Sequence, residues 1–340
     1  MKAVAYLNTC DINQNDALVD IMVTEPKLGA NDVLVAVYGI GVNPVDTKIR
    51  RRRQPPAGEP AILGWDAAGT ILSVGENVFD FKEGDDVWYA GAIDRPGCNA
   101  QYQVVDARLV SKKPSKLSFA QAAAMPLTFL TAWELLFDRF RINRNEPITL
   151  LITGAAGGVG SALLQLTKLH QNICTIATAS RPESQQWVYD MGADYVIDHH
   201  QPLRPQLQEL GITQVTHVAS LTHTEQHFME LIELMSPQGH FALIDDPAEP
   251  LDIRLMKQKS LSLYWEFMFT RSLYGTDDMH RQGQILREIA ELTDAGVLGT
   301  TMAAHYGALC ADNLIRAHRQ IESHTTIGKI VLDGINAPII

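Results

Sequence analysis

The run Leu150-Leu151-Ile152-Thr153-Gly154-Ala155-Ala156-Gly157-Gly158-Val159-Gly160 leads from apolar residues into a glycine turn, and Ser161-Ala162-Leu163-Leu164-Gln165-Leu166 continues it with a helical pattern. A strand, a glycine turn and a helix start in this order aim unpaired backbone N–H groups at an anion, here a dinucleotide pyrophosphate. Gly157 and Gly160 let the backbone approach the phosphates and the helix press onto the sheet, so no basic side chain is needed. Ala155 takes the first place of the usual G-x-G-x-x-G, and context carries the assignment more than the bare pattern does. About 20 residues further on, where an acid would read a ribose hydroxyl, Ser180 and Arg181 follow the β-like run Ile173 to Ala179. A hydroxyl and a guanidinium suit a 2′-phosphate, which a carboxylate would repel, so the expected cofactor is NADP(H). The alternative is a βαβ unit that binds nothing.

Positioning that turn requires a parallel sheet. Apolar runs near 148–153, 173–179, 194–198, 215–219 and 239–244 alternate with helical patterns, as in a doubly wound sheet, and Leu261 to Trp265 offers an edge strand. The first 110 or so residues differ: short β-like runs such as Asp32 to Tyr38, Gly69 to Val74 and Gln101 to Val105, broken by Pro and Gly, suggest a small β-barrel. Ser118 to Ala124 looks like an N-capped helix and Thr131 to Phe140 like another, which places a boundary near 120. After Asp277 two helix-like pieces precede a last strand at Lys329 to Leu332, and this tail is expected to rejoin the first domain. The division expected is 1–120 completed by 270–340, and 121–269.

With 340 residues and 46% apolar content, the chain can fill two cores. Its 28 Lys and Arg against 39 Asp and Glu give a net charge of -11, which argues against a nucleic-acid partner. Arg50-Arg51-Arg52-Arg53 reads as a solvated loop or an anion guide. Cys10, Cys98, Cys174 and Cys310 lack paired spacing, as free thiols in a reducing compartment do. With neither a cleavable leader nor a span of ~20 apolar residues, the expectation is a cytoplasmic protein without membrane contact.

Gly41-Val42-Asn43-Pro44-Val45-Asp46, Gly64-Trp65-Asp66-Ala67-Ala68-Gly69, Leu127-Thr128-Phe129-Leu130-Thr131-Ala132-Trp133 and Gly328-Lys329-Ile330-Val331-Leu332, set around the central glycine turn, resemble the medium-chain dehydrogenase/reductase superfamily over essentially the whole chain. The combination is similar to its quinone oxidoreductase branch, including bacterial zinc-type alcohol dehydrogenase-like proteins. The resemblance implies an α/β protein with a GroES-like β-barrel domain, a Rossmann domain, a substrate cleft between them, and a homodimer. It also implies that Asn43 and Trp65 stand where zinc-dependent members have Cys and His, and that only Cys98 remains of a second, four-Cys zinc loop. An amide and an indole cannot replace a thiolate and an imidazole on Zn²⁺, so no metal is expected. Asp46 and Asp66 alone would make a poor zinc site, and His223 and His227, at helical spacing, lack a well-placed acid between them.

Without a Lewis acid an unactivated carbonyl is a poor hydride acceptor, whereas a quinone or α,β-unsaturated carbonyl spreads the incoming charge itself. The expected activity is therefore NADPH-dependent reduction of a small quinone or enone; a zinc-type alcohol dehydrogenase and a non-catalytic NADPH-binding protein are the alternatives. The resemblance assigns chemistry to Asn43, Asp46 and Lys48, although Asn43 could be a buried turn amide, Asp46 the cap of a helix starting at Thr47, and Lys48 a solvated lysine. Asn43, Thr131, Gly157, Gly158, Val159, Ser180, Arg181, His199, Ser220, Leu221, Thr222, Ile244, Asp245 and Lys329 are the expected cofactor contacts. A helix N-cap would explain Thr131 equally, an exposed strand end His199, and a surface strand Lys329. Trp65, Trp265 and Phe267 are expected to line a flat substrate pocket, with a subunit interface or core as the other use for the aromatic run Tyr264 to Phe269.

Overall fold

The computed structural model describes residues 1–14, 16–142 and 146–336. The chain divides into two compact units, Met1–Leu130 with Phe269–Ile340, and Thr131–Met268.

The second unit is built on six parallel strands in the spatial order Tyr195–Ile197, Ile173–Thr178, Ile148–Thr153, Val215–Ser220, Met235–Leu243 and Ser262–Trp265. Helices Gly158–Thr167, Pro182–Asp190, Leu203–Glu209 and Thr224–Leu234 connect the first five strands. This is the dinucleotide-binding order, whose reversal lies between Ile148–Thr153 and Val215–Ser220. The strands read as apolar runs because helices cover their faces: Leu150, Leu151, Ile152, Val218 and Phe241 are fully buried. Leu151, Ile176, Val218 and Phe241 pack with Phe228, Leu231 and Ile232 of the helix Thr224–Leu234 in one core.

The first unit is organised by Asp32–Val42, an eleven-residue strand that pairs antiparallel with Ala67–Val74, Tyr102–Asp106 and Lys329–Asp333. It sits in a seven-stranded sheet with Met302–Ala308, Asp86–Tyr89 and Val110–Lys112; a separate sheet joins Val19–Met22, Lys2–Tyr6 and Ala61–Ile62. The pairing does not close among the described residues, so the GroES-like domain is an open sheet structure and not a closed barrel. Register shifts between Leu34 and Val35 and between Val37 and Gly39 bend the long strand and let it serve three partners.

Three details depart from the sequence expectation. The division falls after Leu130, ten residues later than 120, because the helix Phe119–Ala123 lies directly on the long strand: a Cβ on Gly39 would stand 2.3 Å from the Phe119 carbonyl oxygen. Ser118 does cap that helix, its Oγ accepting from the Gln121 N–H at 3.2 Å while Gln121 Oε1 accepts from the Ser118 N–H at 3.0 Å. Between the tail helices Arg281–Asp294 and Ala311–Glu322 lies an unanticipated strand, Met302–Ala308, parallel to Lys329–Asp333. Its sequence, MAAHYGA, is too rich in small residues to carry a strand signal. The arginine run is likewise no loop: Arg50, Arg51 and Arg52 form the last turn of the helix Pro44–Arg52, and Arg50 is fully buried against Glu322.

Since Gly39 faces backbone atoms, which cannot rotate away, Gly39→Ala is expected to destabilise the first unit by about 1–3 kcal/mol, the usual penalty of overpacking. Urea unfolding followed by tryptophan fluorescence checks this, and an unchanged midpoint would contradict the close contact.

Candidate active site

In the first unit the helix Pro44–Arg52 begins at the Asn43-Pro44 step, since proline at the first helical position costs no hydrogen bond. Asp46, its third residue, reaches back to accept the Asn43 N–H at 2.7 Å, so it caps a helix that starts at Pro44 rather than Thr47. Asn43, Asp46, Asp66 and Lys329 are all buried. Asp66 Oδ2 accepts from Asn43 Nδ2 at 3.1 Å and from Lys329 Nζ at 2.9 Å, and its Oδ1 accepts from the Leu127 N–H at 3.2 Å. The Lys329 ammonium also donates to the Val42 carbonyl at 3.0 Å and to Asn43 Oδ1.

This geometry bears on three assignments. The three protons of Lys329 are spent inside the unit, so it is not the free lysine that a cofactor contact needs. Asn43 keeps its donors on Asp66 and, at 3.4 Å, on the Gly41 carbonyl, so bonding a substrate oxygen would mean giving one of them up. Trp65 is a core residue, its indole N–H on the Arg95 carbonyl at 3.3 Å and its ring edge-on to Phe269 at 6.5 Å, and it lines no open surface. Lys48, on the same helix as Asp46, is half-buried.

Burial pushes the Asp46 carboxyl up to about 7, against the opposing pull of the Asn43 N–H and the Lys329 ammonium, and the Asp66 carboxylate adds to the rise. Burial raises Asp66 as well, while Lys329 is the strongest influence holding it down. The buried Cys98 thiol, which donates to the Asp66 carbonyl at 3.7 Å, is displaced upward too and stays protonated.

In the second unit the expected anion-binding turn lies at the carboxyl end of the central strand. Gly154 adopts φ +66°, and a Cβ there would meet Thr222 Cγ2 at 2.7 Å. Gly160 brings the helix Gly158–Thr167 onto Ala155, whose carbonyl would lie 2.3 Å from an added Cβ. Gly157, Gly158 and Val159 are partly exposed at the helix start, where N–H groups lack helical partners. Ser180, His199, Ser220 and Ile244 stand at or just beyond the carboxyl ends of neighbouring strands. Arg181 is exposed beside the start of Pro182–Asp190.

Other residues of this set have structural employment. Ser220 is fully buried and shares a 2.8 Å hydrogen bond with Thr224; the Leu221 N–H donates to Thr153 Oγ1 at 3.3 Å; and Thr222 Oγ1 lies 2.9 Å from His223 Nδ1. Asp245 accepts the Thr224 N–H at 3.0 Å and so caps Thr224–Leu234. Thr131 is inside the helix Pro126–Trp133, not at its cap, and is buried. The His199 ring lies 4.5 Å from His200 and 6.4 Å from His227; burial, then the neighbouring His200, lowers its pKa. Trp265 and Phe267 are 55% and 44% exposed.

The residue underweighted from sequence was Asp66. No local pattern links it to Lys329, 263 positions away, and only the tail's return brings them together. Among the described residues no three His, Cys, Asp or Glu side chains are arranged to hold a metal ion, and no helix is long and apolar enough to cross a membrane.

Residues 29–115 match the family model for the alcohol dehydrogenase GroES-like domain, and residues 191–332 that for a zinc-binding dehydrogenase. A zinc-type alcohol dehydrogenase-like protein of Staphylococcus epidermidis is 36% identical over 337 residues, spanning 98% of this chain and 99% of its own length. A crystal structure from Rhizobium etli CFN 42, provisionally described as a zinc-dependent alcohol dehydrogenase, superposes with a TM-score of 0.94 at 44% identity, covering 99% of this chain and 98% of that one. Escherichia coli quinone oxidoreductase complexed with NADPH superposes with a TM-score of 0.83 at 25% identity, covering 98% and 100%. The donors present here do not suit the zinc in those names: the Asn43 amide and the Asp66 carboxylate are engaged with an ammonium, and the Trp65 indole has only a donor to offer.

Because Asp46 is held near pH 7 in the fold but ionises near 4 when unfolded, the fold favours its neutral form. That contribution is complete below pH ~4 and is lost as pH rises to about 7, at up to ~1.4 kcal/mol per pH unit. Asp46→Asn should flatten this part of the stability profile, as measured by urea midpoints from pH 4 to 8; an unaltered slope would show that Asp46 ionises normally.

Proposed function

Since the chain belongs to the quinone oxidoreductase branch of the medium-chain dehydrogenase/reductase superfamily, and is an oxidoreductase, we propose that it reduces a quinone or an α,β-unsaturated carbonyl with NADPH and without zinc. The carrying observation is the Lys329 ammonium hydrogen-bonded by Asp66 and Asn43, the oxygen donors a metal would otherwise claim.

NADPH, when bound, supplies the hydride. The chain's part is to bind and orient it: the N–H groups at Gly157, Gly158 and Val159 take the pyrophosphate, and Ser180 and Arg181 take the 2′-phosphate through charge-assisted hydrogen bonds. Lys48 is the group assigned to the substrate, where an ammonium would stabilise a developing enolate or return a proton to it. Asn43 and Asp46 act through position, since their mutual bonds fix the turn from which the Lys48 helix starts. A conjugated acceptor suits this equipment because it disperses the added charge over its own atoms.

A homodimer is part of the proposal. Ser262–Trp265 is an edge strand of the parallel sheet that exposes Leu263 and Trp265, with Phe267 following; unpaired strand edges carrying apolar side chains are templates for a second copy. Trp265→Glu should shift the species seen by light scattering from dimer to monomer, whereas an unchanged mass would place the interface elsewhere or nowhere.

The activity is tested by following NADPH oxidation over a panel of quinones, enones and aldehydes, with zinc quantified on the same sample. Turnover of quinone or enone that survives chelation is expected; activity confined to alcohols or aldehydes and restored by zinc would refute the proposal. Arg181→Ala should raise KM for NADPH by the equivalent of about 1.5–3 kcal/mol while leaving NADH nearly unchanged. An equal effect on both would remove Arg181 from the phosphate site.

A further inference from the structure

A fully buried carboxylate is costly unless an opposite charge and further hydrogen bonds accompany it. Asp66 has both: the Lys329 ammonium at 2.9 Å, the Asn43 amide at 3.1 Å and the Leu127 N–H at 3.2 Å. The ammonium in turn is held by three oxygens, those of Asp66, Asn43 and the Val42 carbonyl, one for each of its protons. Carboxylate, amide and carbonyl oxygens converging on one point are also what a hard cation seeks.

The placement is fixed by backbone. Ile330 pairs with Val42 and Val331 with Gly41 in an antiparallel ladder, the Lys329 N–H donates to the Thr301 carbonyl at 2.8 Å, and Gly328 at φ +54° turns the chain into the strand. Lys329 is thus delivered beside Asn43 by the register of the last strand.

We infer that the Lys329 ammonium is the resident cation of the Asn43–Asp66 cluster and closes it to zinc, so that the last strand carries into the unit the positive charge a bound metal would bring. This deepens the zinc-free proposal above but stands on the cluster alone, independent of which cofactor or acceptor is used.

The test reads chemistry and metal content, not turnover. The purified full chain is treated with an amine-modifying reagent, with and without excess zinc chloride, and lysines are mapped by mass spectrometry. Lys329 should stay unmodified in both samples when Lys112, whose side chain is 64% exposed, has reacted to completion. Modification of Lys329 at the rate of Lys112, or its appearance only when zinc is added, would overturn the inference. In parallel, the zinc retained after desalting is compared between the wild-type chain and Asp66→Asn: equal contents are expected, and a full equivalent lost only in the variant would overturn it. Thermal unfolding of Lys329→Met, Asp66→Asn and the double variant completes the test; the double variant should recover at least half of the loss in Tm of the worse single variant, and simple addition of the two losses would show that the charges do not pair. Should the variants fail to fold, the modification experiment on the native chain still decides. A chain that reduces quinones after chelation yet exposes Lys329 to zinc displacement sinks this inference alone, and one that turns over nothing while protecting Lys329 sinks only the functional proposal.

Discussion

The ion pair between Asp66 and Lys329 is the constraint around which the first unit is arranged. Neither member is tolerable alone in a buried position, and the penalty for stranding one is several kcal/mol. The last strand must therefore pair with Asp32–Val42 in one register, because a shift of a single residue would turn Lys329 to the opposite face of the sheet. The same pair anchors Asn43, and Asn43 with Asp46 sets the start of the helix Pro44–Arg52. A contact between residues 263 positions apart thereby determines the local geometry of a short turn near residue 43.

Charge is handled differently in the second unit. The glycine turn offers anion binding through backbone dipoles, and Gly154 and Gly160 are needed where an added Cβ would strike Thr222 or Ala155. A protein with a net charge of -11 cannot draw a polyanionic cofactor by its overall field, so complementarity must be local. Burial holds the His199 and His227 rings below their ordinary pKa. Arg181, exposed beside the start of Pro182–Asp190, is then the residue that the proposal assigns to the 2′-phosphate.

The second unit was the more legible from sequence because its signals are local. Five strands alternating with helices, a glycine turn and a missing acid all sit within short windows, and the connection rules limit the orders in which such strands can pair. In the first unit the deciding interactions are long-range. Asp66 and Lys329 each look unremarkable in their own segments; Arg50 reads as one of four solvated arginines until Glu322 closes over it; and Met302–Ala308 has no strand pattern of its own. Trp65 shows a further difficulty: a large aromatic residue in a motif suggests a pocket wall, but its burial depends on Arg95 and Phe269, which no spacing rule connects to it.

An ammonium and a metal ion differ in what they leave over. A zinc ion held by three protein ligands retains a position for substrate and acts as a Lewis acid there, whereas Lys329 has no fourth proton once Val42, Asn43 and Asp66 are served. Its charge can lower the energy of Asp66 and fix Asn43, but it has no site left at which to polarise a carbonyl. Stabilisation of negative charge during the proposed hydride transfer must then come from the acceptor's own conjugation and from a residue with donors to spare. The proposed choice of a quinone or enone rests on that saturation: the cation engaged in the fold of the first unit is the one the proposal leaves out of the chemistry.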